Sequence, residues 1–78
     1  DMEKIEMIKV ESSRIFRIGY SEKTQTCRID FLRGGVYEYK PFAPQLWLAF
    51  KNAKSLGIFF EDYIKRNKEI KCTKISDK

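Results

Sequence analysis

Ser55, Leu56 and Gly57, with Lys51 and Lys54 just upstream, are the residues of this sequence best placed to hold an anion. Ser55 is a natural N-cap for a helix over residues 56–67. The free N–H groups and dipole of a helix start favour a phosphate or a carboxylate. Gly57, near that start, lets another group approach the backbone closely. The same residues also fit plain capping and close helix–sheet packing, and capping is the commoner use of such a serine. Tyr37 and Tyr39 are the second set. Two residues apart on a strand, their rings project from one face. Exposed, they would form a stacking platform of the kind sheet-based RNA binders use. Covered by helices, they would be core, and a small sheet needs one buried face for aromatics to fill. Trp47 reads as a core or interface anchor before a base-stacking ring.

Other chemistry is scarce. The chain has no histidine, so Ser–His and Cys–His nucleophiles and the commonest metal ligand are absent. Cys27 and Cys72 lie far apart in sequence and lack the close spacing of a structural zinc site. Cys27 sits in an apolar alternation and reads as a buried free thiol, while a disulfide between the two stays open. Glu61 and Asp62 are adjacent, so on a helix they diverge. Asp30 and Glu38 face each other across a predicted hairpin, with Arg28 and Lys40 on the same face, as in a solvated charge lattice. No phosphate-binding Walker loop or other catalytic signature occurs. The expectation is a non-catalytic domain with no cofactor and no metal.

Charge points to the partner. Sixteen Lys and Arg against eleven Asp and Glu leave a net charge of +5, which attracts nucleic acid, nucleotides or acidic protein surfaces. Lys65, Arg66, Lys68, Lys71, Lys74 and Lys78 crowd the C-terminus, opposed there by Glu69 and Asp77. That segment reads either as a basic arm for a phosphate backbone or as a frayed, solvated tail. With 78 residues the chain is expected to form one domain over 1–78, with its core at about 10–66 and short N-terminal and basic C-terminal extensions. A chain this short buries roughly 60% of its unfolded surface, so weak homodimerisation would help it. The longest apolar runs, 46–50 and 58–60, are too short to span a bilayer. Residues 1–10 alternate charged and apolar types, unlike a signal peptide, and the expected location is cytoplasmic. Asp1 ahead of Met2 reads as a trimmed or added residue.

The elements that must position these groups change period midway. Residues 15–20 are rich in β-formers, and residues 26–32 alternate, with Cys27, Ile29 and Phe31 on one face. Arg33-Gly34-Gly35 tolerates the positive φ of a tight hairpin, and Val36–Lys40 follows as a third strand. Pro41 ends that strand, and Pro44 suits a first helical turn ahead of Leu46, Trp47, Ala49, Phe50 and Ala53. The second helix carries an apolar stripe of Phe59, Phe60, Tyr63 and Ile64. Residues 3–10 and 69–75 contain β-branched residues that would add edge strands. The predicted class is α+β: an antiparallel meander of three or more strands packed on one face by two short helices.

Val10, Ser12-Ser13, Ile15, Ile18-Gly19-Tyr20, Phe31, Gly34-Gly35, Tyr37-Glu38-Tyr39, Ala53-Lys-Ser55-Leu-Gly57, Phe60 and Ile64 together resemble the KTSC domain. That family is named for its place at the C-terminus of some lysyl-tRNA synthetases, and also occurs as a stand-alone small protein in bacteria and their phages. Ser21 stands where an acidic residue is common and Ala43 where a proline is usual, both in turns. RNA binding is the role usually suggested for the family. Charge, helix start and resemblance together predict binding of nucleic acid, RNA foremost, through Lys51, Lys54, Ser55, Gly57, Lys65, Arg66 and Lys68, with Tyr37 and Tyr39 as further contributors. Two rivals remain: a sponge for a nucleotide signal, and a module that binds or inhibits a host protein through Trp47 and its surroundings.

Overall fold

The computed structural model describes residues 5–77. Three central strands, β2 (Ile15–Ser21), β3 (Thr26–Phe31) and β4 (Val36–Lys40), pair antiparallel in chain order. Both flanks add an edge: β1 (Met7–Lys9) beside β2, and β5 (Lys71–Ser76) beside β4. Residues 3 and 4 of the predicted N-terminal edge lie outside the described residues. Between β4 and β5 come α1 (Pro44–Lys51) and α2 (Leu56–Phe59), which runs into a π-helical segment, Phe60–Lys65. The fold is therefore α+β, a five-stranded antiparallel sheet in the order β1-β2-β3-β4-β5 with its helices on one face. Among the described residues, no helix is long and apolar enough to cross a membrane.

The core lies between the helices and the sheet. Ile15, Ile18, Cys27, Ile29 and Tyr39 rise from the strands to meet Phe50, Leu56, Phe60 and Ile64. Ile15 and Ile18 are three apart, which breaks a period of two, yet both are buried. A β-bulge between Ile15 and Arg17 absorbs the extra residue, Phe16, and restores the phase. Phe42 reaches the core from the connection between β4 and α1 and is wholly buried. Its N–H donates to the Gln25 carbonyl at 2.8 Å and its own carbonyl accepts from the Tyr20 hydroxyl.

Several local expectations change. The β3–β4 connection uses no positive φ at Gly34 or Gly35. Gly35 is required for another reason: a Cβ there would sit 2.2 Å from the Ser76 carbonyl oxygen, so β5 can pair this closely only with glycine. The positive φ falls instead on Gln25, at 51°, closing the β2–β3 turn. The second helix is α-helical only over its first four residues. Where it becomes π-helical its turns are closed by five residues instead of four, which rotates Tyr63 out to 57% exposure while Phe60 and Ile64 stay buried. The basic C-terminus is neither a free arm nor a frayed tail across Lys71–Ser76, because its backbone pairs with β4.

The face of the sheet away from the helices also departs from a solvated lattice. Asp30 is buried, and both Nε and Nη2 of Arg17 donate to its Oδ2, at 3.2 and 2.9 Å. Asp30 does not face Glu38: its register partners are Arg17 and Val36, while Glu38 lies opposite Arg28 and accepts from it at 2.6 Å. Cys27 and Cys72 are both free. Each pairs with Tyr39 from opposite sides, so β4 separates them by two strand spacings, about 9–10 Å, beyond the reach of a disulfide.

Candidate functional site: a groove around Arg14

Arg14 stands at the entry to β2, after a turn in which the Ser12 hydroxyl accepts from the N–H groups of Arg14 and Ile15, each at 3.2 Å. Its guanidinium crosses to the second helix and donates to Glu61 Oε2 at 2.9 Å, and Lys65 joins the same carboxylate at 3.5 Å. The Arg14 stem lies on Gly57, where a Cβ would come 3.0 Å from Arg14 Cδ. Gly57 thus lets the arginine lie flat across the helix start.

Two clefts meet at Ser13 and Arg14. The first, of about 320 Å³, is of mixed character: Glu11, Ser12, Ser13, Arg14, Lys54 and Ser55 line it together with Leu56, Gly57 and Ile58. Ser55 behaves as a cap, its hydroxyl accepting from the Ile58 N–H at 3.3 Å. The second cleft, of about 370 Å³, runs the other way along Phe31, Leu32, Arg33, Gly34 and Tyr37. Phe31 and Tyr37 meet edge to face at 5.8 Å and are half-buried, so they form an aromatic wall with surface still open. The two clefts adjoin around Arg14, one with an aromatic wall and the other with Lys54 and Ser55, and together are termed the Arg14 groove. Among the described residues, Arg33 and Lys54 form no ion pair, so both charges are free to meet an anion.

The predicted contributors are thereby divided. Lys54, Ser55, Gly57 and Tyr37 come together in the groove. Tyr39 does not: its ring is buried edge to face against Phe60, 5.6 Å away, and has no face left for a base. Lys51 lies over the Trp47 ring, 6.0 Å from its centre, and Lys65 is held by Glu61. Arg66 and Lys68 are exposed beyond the helix, outside either cleft. Trp47 is half-buried and stacks on Tyr20 at 5.3 Å and 12°. Nothing local in the sequence marks Arg14, Arg33 and Phe31 as ligand groups, because they are assembled by the β2–β3 pairing, in which Ile15 lies opposite Phe31 and the Leu32 N–H donates to the Arg14 carbonyl at 2.8 Å. Ser12-Ser13 was visible only as part of a resemblance.

Titration fits these roles. The Arg14 hydrogen bond, with Lys65 nearby, holds the Glu61 carboxyl below the usual range. A lowered folded value means the tie between β2 and the helix is intact above the ordinary carboxylate range and is lost as pH falls through that lowered value. Burial pushes the Cys27 thiol up, so it is no nucleophile. Burial, then a hydrogen bond with Cys72, pushes the Tyr39 phenol up as well. No group of three or more Cys, Asp or Glu able to hold a metal ion occurs among the described residues.

Gly57→Ala tests the seat of Arg14. The new methyl meets a flexible side chain instead of backbone, and alanine's better helix propensity offsets part of the crowding, so the fold should survive with a loss of at most about 1 kcal/mol. Arg14 should swing off Glu61, and the acid titration of that carboxyl, followed by NMR, should move back toward the ordinary range. An unmoved titration would mean that Gly57 does not set the arginine's position.

Fold and groove define a small α+β domain in which one sheet face is core and one groove combines aromatic surface with unpaired cations. A sequence model of the KTSC domain matches residues 11–67. The crystal structure of a KTSC domain protein from Yersinia pestis superposes with a TM-score of 0.87 at 33% identity, over 92% of this chain and 99% of that one. A lysine–tRNA ligase from Nostoc punctiforme is 41% identical over 59 residues, which is 76% of this chain and 10% of that protein. The chain therefore spans about a tenth of the length of this curated relative. It belongs to the KTSC domain family.

Proposed function

We propose that this domain binds RNA without catalysis, in the groove around Arg14. The observation that carries the reading is the aromatic wall of Phe31 and Tyr37 beside the unpaired cation Arg33 in one cleft, with the unpaired Lys54 in the cleft that adjoins it at Ser13 and Arg14. Single-stranded RNA is held by that combination: bases lie on aromatic faces and phosphates meet cations. Kinship with a segment of a tRNA ligase supports the choice of RNA. Arg14 lines the groove but shares its charge with Glu61, so it serves mainly to fix the groove's shape.

The test is fluorescence anisotropy of a short labelled single-stranded RNA across a range of salt concentrations. Tryptophan emission is the poorer probe, since Trp47 stacks on Tyr20 outside the groove. Binding should weaken steeply with salt, and Arg33→Gln combined with Lys54→Gln should lower affinity about tenfold and flatten the salt slope by about 1.4, or 0.7 per phosphate contact. Absence of binding at low salt would sink the reading. Tight, saturable, stoichiometric binding of a mono- or cyclic nucleotide with no response to oligomers would replace it with a nucleotide sponge.

A further inference from the structure

At the other end of β4 the sheet does something its stability does not ask for. Lys40 and Lys71 are direct register partners on β4 and β5, so two like charges lie side by side. Like charges directly opposite in a sheet repel. The face they occupy is otherwise matched: Arg17 lies opposite Asp30, and Arg28 opposite Glu38, each joined in an ion pair. That also means both carboxylates on this part of the sheet are already held by arginines. Lys23, from the β2–β3 turn, projects toward the same place. Lys23, Lys40 and Lys71 line a cleft of about 520 Å³ with Thr24, Gln25 and Thr73, and no carboxylate lines it. None of the three lysines forms an ion pair among the described residues.

Lysine on the edge strand β5 also guards against edge-to-edge pairing, but that role does not need a second lysine opposite it, and a local conflict of this kind is expected at a functional surface. Here the repulsion is relieved when an anion enters. No aromatic ring lines the cleft, so it has nothing on which to stack a base. Ammonium groups beside threonine hydroxyls suit phosphate oxygens. We propose that the Lys23–Lys40–Lys71 cleft is a second RNA contact, one that holds the phosphate backbone without reading sequence. The inference rests on the RNA reading above but places a contact at the opposite end of β4 from the Arg14 groove.

Two measurements test it. First, the salt dependence of RNA binding is compared between the native protein and the triple variant Lys23→Gln, Lys40→Gln, Lys71→Gln. Three lost phosphate contacts should flatten the slope of log affinity against log salt by about 2, and should do so equally for homopolymers of different base. Second, Lys71→Glu turns the Lys40 pair into a complementary one. It should raise Tm by a few degrees and lower RNA affinity at least tenfold. If the native protein binds RNA and the triple variant keeps the full salt slope, the cleft is not a contact and the groove reading stands. A native protein that binds no RNA at low salt removes both. A Lys71→Glu variant that melts lower and binds as well as the native chain would likewise overturn the proposal.

Discussion

Replacing Phe42 by alanine is expected to destabilise the domain by about 3–5 kcal/mol. The ring is wholly buried, tilted against Phe50 at 6.3 Å and Tyr20 at 5.9 Å, so its loss opens a cavity among groups that are themselves fixed. A chain of this length is stable by roughly 4–12 kcal/mol in all, on the usual scale of 0.05–0.15 per residue. At the lower end of that range the variant should be largely unfolded at 37 °C, and at the upper end it should stay folded with a much lower urea midpoint. Phe42→Leu, which keeps most of the volume, should retain the fold with a loss nearer 1 kcal/mol. Urea denaturation of the three proteins decides the matter. A loss below about 1 kcal/mol for the alanine variant would mean that the connection between β4 and α1 does not close the core.

The second large effect concerns the polar side of the sheet. Arg17→Met should cost about 2–3 kcal/mol, because it leaves a carboxylate whose side chain is 2% exposed without the two charge-assisted hydrogen bonds that hold it. Arg17 itself is nearly half exposed, which keeps the figure below that of a fully buried pair. Asp30→Asn on the native background should cost less, since the amide keeps the shape and an acceptor. The double variant Arg17→Met, Asp30→Leu should recover much of the loss, since well-packed apolar groups often replace a buried pair at little cost. A double-mutant cycle in urea measures the coupling. A single-variant loss under about 0.5 kcal/mol would place this pair with ordinary screened surface pairs.

These two residues also mark where sequence reading reached its limit. Phe42 lies between two prolines, in no run of period two or 3.6, so nothing in its surroundings distinguishes a core ring from a loop ring. Strict alternation puts Asp30 on the solvent face, and it does point away from the helices. Alternation names a side of the sheet, however, and not the depth at which a group sits there. The covering is done by Arg17, thirteen positions earlier. Glycine was legible as a type at Gly35 but not as a reason: the residue is needed for the close approach of β5, not for a turn.

The order of elements, the α+β class and the core positions of Cys27, Ile29, Phe50, Phe60 and Ile64 were written locally, in period, proline placement and a serine cap. Such signals act over a few residues, and a single chain carries them in full. Both edge strands were foreshadowed by β-branched residues, but the pairing of β5 with β4 is a long-range choice that closes the sheet after two helices. Only the tertiary structure brought Arg14 to Glu61, joined the Phe31–Tyr37 wall to the Lys54–Ser55 cleft, and set Lys40 against Lys71. Each of these joins residues far apart in sequence. Their geometry depends on register and packing, which no local pattern encodes.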